Sequence, residues 1–287
     1  MGKAIKFIEG FLRLIRVNNL IIIFFTQYFT AIFLIDSQFR NLRLSQDYSL
    51  FLVTLSTVLI AAAGYLINDY HDVKIDAINR PKSILVGKIL QRREMLLVYS
   101  FLNASTLVLG FLVSFKILAI HLFSIASLWF YSAYLKKVAF WGNFLVALLT
   151  AFTILIISVY YKSNYLTVGL YASLAFFVSL IREIVKDMED VKGDAVYGSH
   201  TLPIIYGQRG AKRYIYVIAV LFLAGLFVFD FYIDLWSFWI IGIILSAEIL
   251  ILLYFIYWAD TKDKFHFCSN FCKAILLSGV ISMIWVN

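Results

Sequence analysis

Long apolar runs recur along the chain and are separated by short polar stretches. A helix needs about 20 apolar residues to cross a bilayer, so the runs predict nine transmembrane helices. They cover approximately residues 19–36, 49–67, 94–113, 117–134, 139–161, 164–181, 214–233, 236–258 and 270–286. Only two prolines and no glycine- or serine-rich linker interrupt the pattern. It therefore predicts an all-α, multi-pass membrane protein with a single domain over residues 1–287.

A shorter amphipathic segment precedes the first run, over residues 1–16, and no stretch has the form of a signal peptide. Apolar and basic side chains alternate there with a helical period: Ile5, Phe7, Ile8, Phe11, Leu12 and Ile15 against Lys3, Lys6, Arg13 and Arg16. This spacing is typical of a helix that lies on a membrane surface. A plain cytoplasmic lead-in to the first span fits the same pattern.

Composition supports a membrane protein and excludes a soluble domain. The chain is 62% hydrophobic and 15% charged, whereas soluble domains carry about 25% charged residues. Its two cysteines, Cys268 and Cys272, lie four positions apart and have no further cysteine partner. This makes a poor metal site, so we expect both to pack in the interior.

Positive charge is distributed very unevenly between the two sets of loops. Of the 25 lysines and arginines, 21 fall on the side of the N-terminus, and only Arg40, Arg43, Lys116 and Lys162 fall on the other. The positive-inside rule then places the N-terminus in the cytoplasm and the C-terminus across the cell membrane. The net charge of +8 follows from this topology and requires no nucleic acid.

An internal repeat follows the second and sixth runs. Residues 69–77 and 187–195 share the pattern D-x-x-D-V-K-x-D-A at a spacing of 118 positions. We call residues 68–82 motif one and residues 182–195 motif two. The repeat predicts two equivalent helices on opposite sides of one cavity.

The aspartates of each motif lie on one stripe of a helix, because they are spaced i, i+3 and i+7. The first stripe is Asp69, Asp72 and Asp76, and the second stripe is Asp187, Asp190 and Asp194. Glu183 extends the second stripe inward by one turn. Converging carboxylates repel each other, and a charge at membrane depth costs about 2.5–3.5 kcal/mol.

Magnesium would relieve this repulsion, because it takes oxygen ligands and usually keeps substrate phosphates in its shell. The two stripes therefore predict two or more Mg²⁺ ions that bridge a diphosphate, with the amide oxygen of Asn68 as a further ligand. The alternative is a pair of ordinary acidic loops. Two copies in matching register, each at the end of a span, argue against that alternative.

Basic residues accompany the motifs and are candidates for binding the diphosphate. Arg80 and Lys82 follow the first stripe, Lys136 and Lys137 follow Tyr131, and Arg182 and Lys186 belong to motif two. Cations stabilise the charge that a leaving diphosphate develops. For each residue taken alone, a role as a positive-inside anchor is the alternative.

Together these features resemble the UbiA-type intramembrane prenyltransferase superfamily over most of the chain. The resemblance rests on N-D-x-x-D-x-x-x-D followed by N-R-P, on D-x-x-D-x-x-x-D, and on Tyr131-x-x-x-Leu135-Lys136. It implies an all-helical fold around a central cavity. It also implies cytoplasmic cap segments after the second and sixth spans, which would hold the aspartates.

The resemblance also implies roles for individual residues. The metal ligands would be Asn68, Asp69, Asp72, Asp76, Asp187, Asp190 and Asp194, the diphosphate-binding residues Arg80, Tyr131, Lys136 and Arg182, and the catalytic residues Asp72, Asp76, Asp190, Asp194 and Lys136. The implied reaction is Mg²⁺-assisted ionisation of an allylic prenyl diphosphate, attack of the acceptor on C1, and loss of a proton.

The acceptor is indicated by the second half of the chain. Residues 182–194 and the following Thr201-Leu202-Pro203 are similar to the branch of the family that acts on geranylgeranylglyceryl phosphate. Residues 82–85 depart from the usual pattern, so an aromatic acceptor such as 4-hydroxybenzoate is the alternative.

A cation transporter is a competing hypothesis from another class of protein. In a transporter the carboxylates would be distributed along a path across the membrane, whereas here they lie at the ends of two helices.

The expected partners of the protein are the prenyl diphosphate, its lipid-like or aromatic acceptor and membrane lipids. No obligate protein partner is expected.

Overall fold

The computed structural model describes residues 2–35, 47–81, 85–232 and 236–286, and within these ranges the chain forms helices and no β-sheet. The α-helices are α1 (Gly2–Leu14), α2 (Val17–Phe29), α3 (Tyr48–Asn79), α4 (Arg92–Val113), α5 (Phe115–Ala133), α6 (Trp141–Tyr161), α7 (Tyr165–Val196), α8 (Leu202–Tyr232), α9 (Trp236–Trp258) and α10 (Lys262–Ser282). A π-helical segment, Thr30–Ile35, continues α2. Arg40, Arg43 and residues 82–84, which entered the sequence predictions, lie outside the described residues.

Nine of the described helices are long and apolar enough to cross a membrane: α2 together with its π-helical continuation to Ile35, and α3 to α10. This confirms the multi-pass, all-helical prediction. Helices are the expected solution, because every backbone N–H and C=O in a bilayer must be satisfied within the protein. The turn between α4 and α5 is as tight as expected: Ser114 ends α4, and its hydroxyl oxygen accepts a hydrogen bond from the backbone N–H of Ile117 in α5.

Two of the spans, α3 and α7, have 32 residues each and exceed the membrane thickness. At 1.5 Å per residue such a helix is about 48 Å long, against about 30 Å for the hydrocarbon core. The last turns of each helix therefore extend beyond the core, and the aspartates lie on these turns. The aspartates thus belong to continuous extensions of the span helices, at the two positions where the family resemblance implied cap segments.

The ends of these two helices have a local physical cause. Pro81, which lacks a backbone N–H, follows α3 closely, and Gly198, with a φ of 68°, follows α7. Proline cannot continue the hydrogen-bond ladder of a helix, and glycine tolerates the left-handed conformation. No such residue interrupts α3 between Asn68 and Asn79, so the polar turns stay helical.

Helices α8 and α10 begin earlier than their apolar runs predicted. α8 starts at Leu202 and is broken at Gly207, which has non-helical φ and ψ of 68° and 172°. α10 starts at Lys262, and Thr261 caps it by accepting a hydrogen bond from the backbone N–H of Lys264. The predicted starts near residues 214 and 270 were wrong, because capped helices carry polar residues well beyond the membrane boundary.

The chain packs as two compact units, and each motif-bearing helix is central to its own unit. The first unit contains α1, α2 as far as Tyr28, α3, α4 and α5, and here α3 packs on both α4 and α5. The second contains the segment Thr30–Ile35 and α6 to α10, and here α7 packs on α6, α8 and α10. The single domain expected over residues 1–287 stays a prediction.

A buried polar contact joins the three main helices of the first unit. The side chain of His121 on α5 lies 3.2 Å from the hydroxyl oxygen of Ser56 on α3, and both side chains are buried. A Cβ atom at Gly110 on α4 would lie 2.6 Å from His121 Nδ1 and 3.3 Å from the Cα of Leu118. The close approach of α4 and α5 therefore requires glycine at position 110.

We expect Gly110→Ala to lower the free energy of unfolding by about 1–3 kcal/mol, the usual cost of overpacking. Thermal unfolding in detergent measures the change. Gly225→Ala on α8 is the matched control, because no atom lies within 4 Å of a Cβ there. In a His121→Ala background the cost of Gly110→Ala should shrink, since the clashing group is gone. Equal midpoints for Gly110→Ala and Gly225→Ala would contradict the packing argument.

Candidate active site

The first stripe occupies the last three turns of α3. Asp69, Asp72 and Asp76 are all partly buried, whereas His71 and Lys74 between them are exposed. The three carboxylates therefore share one face, which is turned away from bulk solvent. This is the arrangement that their spacing predicted.

The second stripe repeats this arrangement at the end of α7. Asp187, Asp190 and Asp194 are partly buried, and Lys192, which corresponds to Lys74 in the first copy, is exposed. The burial of the three aspartates and the exposure of the lysine thus agree in both units, whereas exposed His71 corresponds to buried Glu189. The convergence of the two stripes on one cavity stays a prediction.

The first aspartate of the first stripe is bound by an arginine from the start of the chain. Arg16 Nη2 donates to Asp69 Oδ1 at 2.9 Å. The guanidinium also lies over the ring of Tyr65, 4.7 Å from its centroid, and the Tyr65 hydroxyl accepts a hydrogen bond from Asn19 at 3.1 Å. Burial opposes the charge on Arg16, but the carboxylate of Asp69 and the neighbouring Tyr65 outweigh it and raise the pKa of Arg16 above its usual value.

The first aspartate of the second stripe is bound in the same way by a different residue type. Asn143 Nδ2, near the start of α6, donates to Asp187 Oδ2 at 2.8 Å, and the Asn143 side chain is buried. Each stripe therefore has its first carboxylate oriented by a donor from a different part of the same unit, the turn before α2 for Asp69 and α6 for Asp187. The donor is a cation in the first unit and a neutral amide in the second.

One turn before the second stripe, Glu183 is buried between two cations. It accepts hydrogen bonds from Arg182 Nη1 and from Lys186 Nζ, both at 2.8 Å. A buried carboxylate is stable only when it is paired, and here two partners hold it. Arg182 keeps one further donor, Nε, which is buried without a hydrogen-bond partner among the described residues. Its predicted contact with a diphosphate stays a prediction.

Lys136 lies in a short 3₁₀ turn, Leu135–Lys137, that is attached to the segment after motif two. The backbone N–H of His200 donates to the carbonyl of Lys137 at 2.8 Å, and the N–H of Ser199 donates to the carbonyl of Asp194 at 2.9 Å. These two bonds bring the Lys136 turn to the end of the second stripe. The structure thus joins two elements that the sequence separates by about 60 positions.

The remaining predicted residues of the first unit lie on α3, on α5 and directly after α3. Asn68 is partly buried just before the first stripe, and Tyr131 is partly buried on α5. The backbone N–H of Arg80 donates to the carbonyl of Asp76 at 2.7 Å and closes the last turn. Contacts of Tyr131 and Arg80 with a substrate stay predictions.

The donor set of both stripes fits a hard divalent cation, because it consists of carboxylate and amide oxygens. Within the described residues, no three histidine, cysteine, aspartate or glutamate side chains already surround a common metal position. The predicted ligands are thus present and oriented along each stripe, but they are not preassembled as a closed site.

Sequence reasoning missed Arg16, Asn143 and the pair of His266 with Glu189. Arg16 was counted only among the positive charges that indicate the membrane orientation. His266 Nδ1 on α10 lies 3.2 Å from the buried carboxylate of Glu189 on α7. The sequence offered one indication for Asn143. An amide side chain just inside an apolar run costs free energy unless it has a hydrogen-bond partner, so a partner could have been expected. Arg16 and His266 pair over long sequence distances and offered no local signal.

The comparisons with known proteins agree with this description of a polytopic membrane protein that carries two aspartate-bearing helix ends. The model of the UbiA prenyltransferase family matches residues 24–273. The chain therefore belongs to the UbiA prenyltransferase family.

Three similar proteins illustrate the match. Digeranylgeranylglyceryl phosphate synthase of Thermococcus gammatolerans is 43% identical over 162 residues, which cover 56% of this chain and 58% of that protein. The matched part is thus less than two thirds of that relative. The enzyme of the same name from Methanosphaera stadtmanae is 34% identical over 241 residues, or 82% of this chain and 87% of that protein. A UbiA homolog from Archaeoglobus fulgidus bound to DMAPP and Mg²⁺ has the same fold, with 18% identity, a TM-score of 0.66 and coverage of 96% and 99%.

We expect Arg16→Gln to lower the free energy of unfolding by about 1–2 kcal/mol, because a charge-assisted hydrogen bond to a partly buried carboxylate is lost. Adding Asp69→Asn should recover most of this loss, since two neutral amide side chains in contact leave no uncompensated charge. A double-mutant cycle on thermal unfolding in detergent measures the coupling. Arg13→Gln, on an exposed side chain of α1, is the matched control, and an equal effect of Arg13→Gln and Arg16→Gln would contradict the role of the ion pair.

Proposed function

We propose that this chain transfers a prenyl group from an allylic prenyl diphosphate to a lipid-like acceptor of the geranylgeranylglyceryl phosphate type and releases diphosphate. The observation that carries the proposal is the repeated stripe of three partly buried aspartates. In each stripe a donor from elsewhere in the same unit orients the first aspartate. Membership of a prenyltransferase family supports the reaction class. The names of the two archaeal relatives support the acceptor.

The metal would be Mg²⁺, held by Asn68, Asp69, Asp72 and Asp76 of motif one and by Asp187, Asp190 and Asp194 of motif two. Their all-oxygen donor set fits this ion, and the Archaeoglobus fulgidus homolog binds Mg²⁺ together with DMAPP. When bound, the ion supplies positive charge to the departing diphosphate. One carboxylate oxygen of Asp69 and one of Asp187 also accept bonds from Arg16 and Asn143, and these bonds fix the stripes in place.

The basic residues would hold the diphosphate and favour its departure. Arg80, Tyr131, Lys136 and Arg182 donate to phosphate oxygens, and such donors stabilise charge most where water is excluded. In the reaction the C1–O bond to the diphosphate breaks, and the diphosphate keeps the electron pair. A new C1–O bond forms with the hydroxyl oxygen of the glycerol acceptor, and the hydroxyl proton is released.

The motifs would open to the cytoplasm, with the N-terminus on the same side and the C-terminus on the other. The excess of lysine and arginine on the loops of that side supports this orientation. A prenyl diphosphate made in the cytoplasm would then reach the aspartates with its charged end, while its apolar tail lies among the spans.

Purified protein in nanodiscs, incubated with labelled geranylgeranyl diphosphate, tests the reaction and its acceptor. We expect a labelled product with geranylgeranylglyceryl phosphate and none with 4-hydroxybenzoate. Product only with 4-hydroxybenzoate would overturn the acceptor assignment and leave prenyl transfer in place. Cation flux through the protein without any turnover would favour the transporter hypothesis.

Chelation of divalent cations tests the metal. With EDTA in excess we expect no turnover, and with Mg²⁺ added beyond the chelator we expect full recovery, because the stripes then regain their counter-charge. Turnover that persists in EDTA would contradict the assigned cofactor.

Substitution within the stripes tests the residue assignment. We expect Asp72→Asn and Asp190→Asn each to lower turnover by at least ~100-fold, beyond the loss typical of residues that only support a metal ligand. Both variants should stay folded in detergent, since asparagine keeps the size and polarity of the side chain. Asp263→Asn, on an exposed side chain of α10, is the matched control. Turnover near the wild-type rate in either stripe variant would refute the site.

A further inference from the structure

Helix α1 packs on the first unit through one apolar face. Leu14 is only 1% exposed and belongs to a buried cluster with Leu66, Leu90 and Met95, against which Phe11 and Ile15 also pack. Gly10 lies on the same face, where a Cβ atom would come within 2.3 Å of Ile89 Cδ1. This face of α1 therefore covers the turn that follows motif one.

A second apolar stripe of α1 remains uncovered. Ile5, Ile8 and Leu12 are 56%, 56% and 38% exposed, and their spacing of i, i+3 and i+7 places them on one line of the helix. Lys6, Glu9 and Arg13 are exposed on a third line. The helix therefore has one face for the protein, one apolar face without a protein partner in the described structure, and one charged face.

The contacts of α1 with α3 set the depth of this uncovered stripe relative to the membrane. Leu14 packs against Leu66, which lies on the last apolar turn of α3 directly before Asn68 and Asp69. Two residues further along, Arg16 pairs with Asp69, and its φ of 53° turns the chain between α1 and α2. α1 is thus held where the apolar part of α3 gives way to the polar part, which is the level of the lipid headgroups.

We propose that α1 is a membrane-interface helix whose Ile5, Ile8 and Leu12 enter the acyl region of the leaflet. Lys6 and Arg13 face anionic headgroups, and the opposite face holds the turn after motif one. A lipid surface is the occupant that fits, because an apolar stripe beside basic side chains is the pattern of helices that lie in the bilayer plane. Of the two sequence interpretations of this segment, the surface helix is the one that the uncovered stripe supports.

The proposal gives α1 a positioning role for motif one. It contacts the turn Leu85–Leu90 through Gly10 and Phe11, and its end is tied to Asp69 through Arg16. Contact of α1 with the leaflet would therefore set the depth of this helix end. The inference concerns the membrane position of α1 and holds whatever reaction the aspartates support.

Site-directed spin labelling of the full chain in nanodiscs tests the proposal. In a Cys268→Ala, Cys272→Ala background, single cysteines at positions 8, 12, 9 and 13 carry a nitroxide. Collision rates with oxygen, which is enriched in lipid, and with a nickel chelate, which stays in water, are compared at each site. We expect oxygen to dominate severalfold at positions 8 and 12 and the nickel chelate to dominate at positions 9 and 13.

Two results would overturn the proposal. Nickel accessibility at positions 8 and 12 equal to that at 9 and 13 would make α1 an aqueous lead-in. Dipolar broadening at position 8 that disappears on dilution with unlabelled protein would make the uncovered stripe a contact between copies of the chain.

The charged face has its own test in lipids of defined charge. Replacing neutral phosphatidylcholine with a mixture that contains phosphatidylglycerol should raise the oxygen accessibility at position 8. The increase should be lost in a Lys6→Gln, Arg13→Gln variant and kept in Glu9→Gln, the matched control on the same face. Persistence of the full increase without Lys6 and Arg13 would refute the headgroup contact.

Discussion

Carboxylates placed where a membrane span ends must find partners, and this requirement organises the structure around α3 and α7. Each of these helices carries three aspartates on its last turns, and in each unit a donor from elsewhere in that unit binds the first of them. A charge that is partly removed from water is costly unless it is hydrogen-bonded. The contacts of Arg16 and Asn143 therefore have two effects. They lower the free-energy cost of partly burying the first aspartate, and they hold the stripe in position.

The two copies of the repeat solve this problem with different chemistry. Arg16 places a positive charge beside Asp69, whereas Asn143 gives Asp187 a hydrogen bond from a neutral amide. Motif two has its own cations one turn further in, where Arg182 and Lys186 hold Glu183. The two stripes therefore have different partners, although their aspartates match position by position. A repeat in sequence does not make the two halves electrostatically equivalent.

The sequence predicted the spans and the stripes because both depend on local periodicity. An apolar run of about 20 residues or a spacing of i, i+3 and i+7 is visible in one stretch of chain, and all nine spans and both stripes were found. Helix ends were predicted less well at α3, α7, α8 and α10, since hydropathy marks where the membrane ends and not where the helix ends. The ends of a helix are set by caps such as Thr261 and by breaks such as Gly207. Arg16 and Asn143 were missed because their partners lie 53 and 44 positions away, and no local pattern encodes such pairs.

Ser114 alone connects α4 to α5, and this has a consequence for biogenesis. Ser114 is both the C-cap of α4 and the N-cap of α5. Because the connection is one residue long, the two spans cannot separate or rotate independently once each has formed. We expect them to enter the lipid as one hairpin with Lys116 beside its turn. Insertion of two apolar helices together offsets the cost of that one cation, and the first unit would acquire α4 and α5 in a single step.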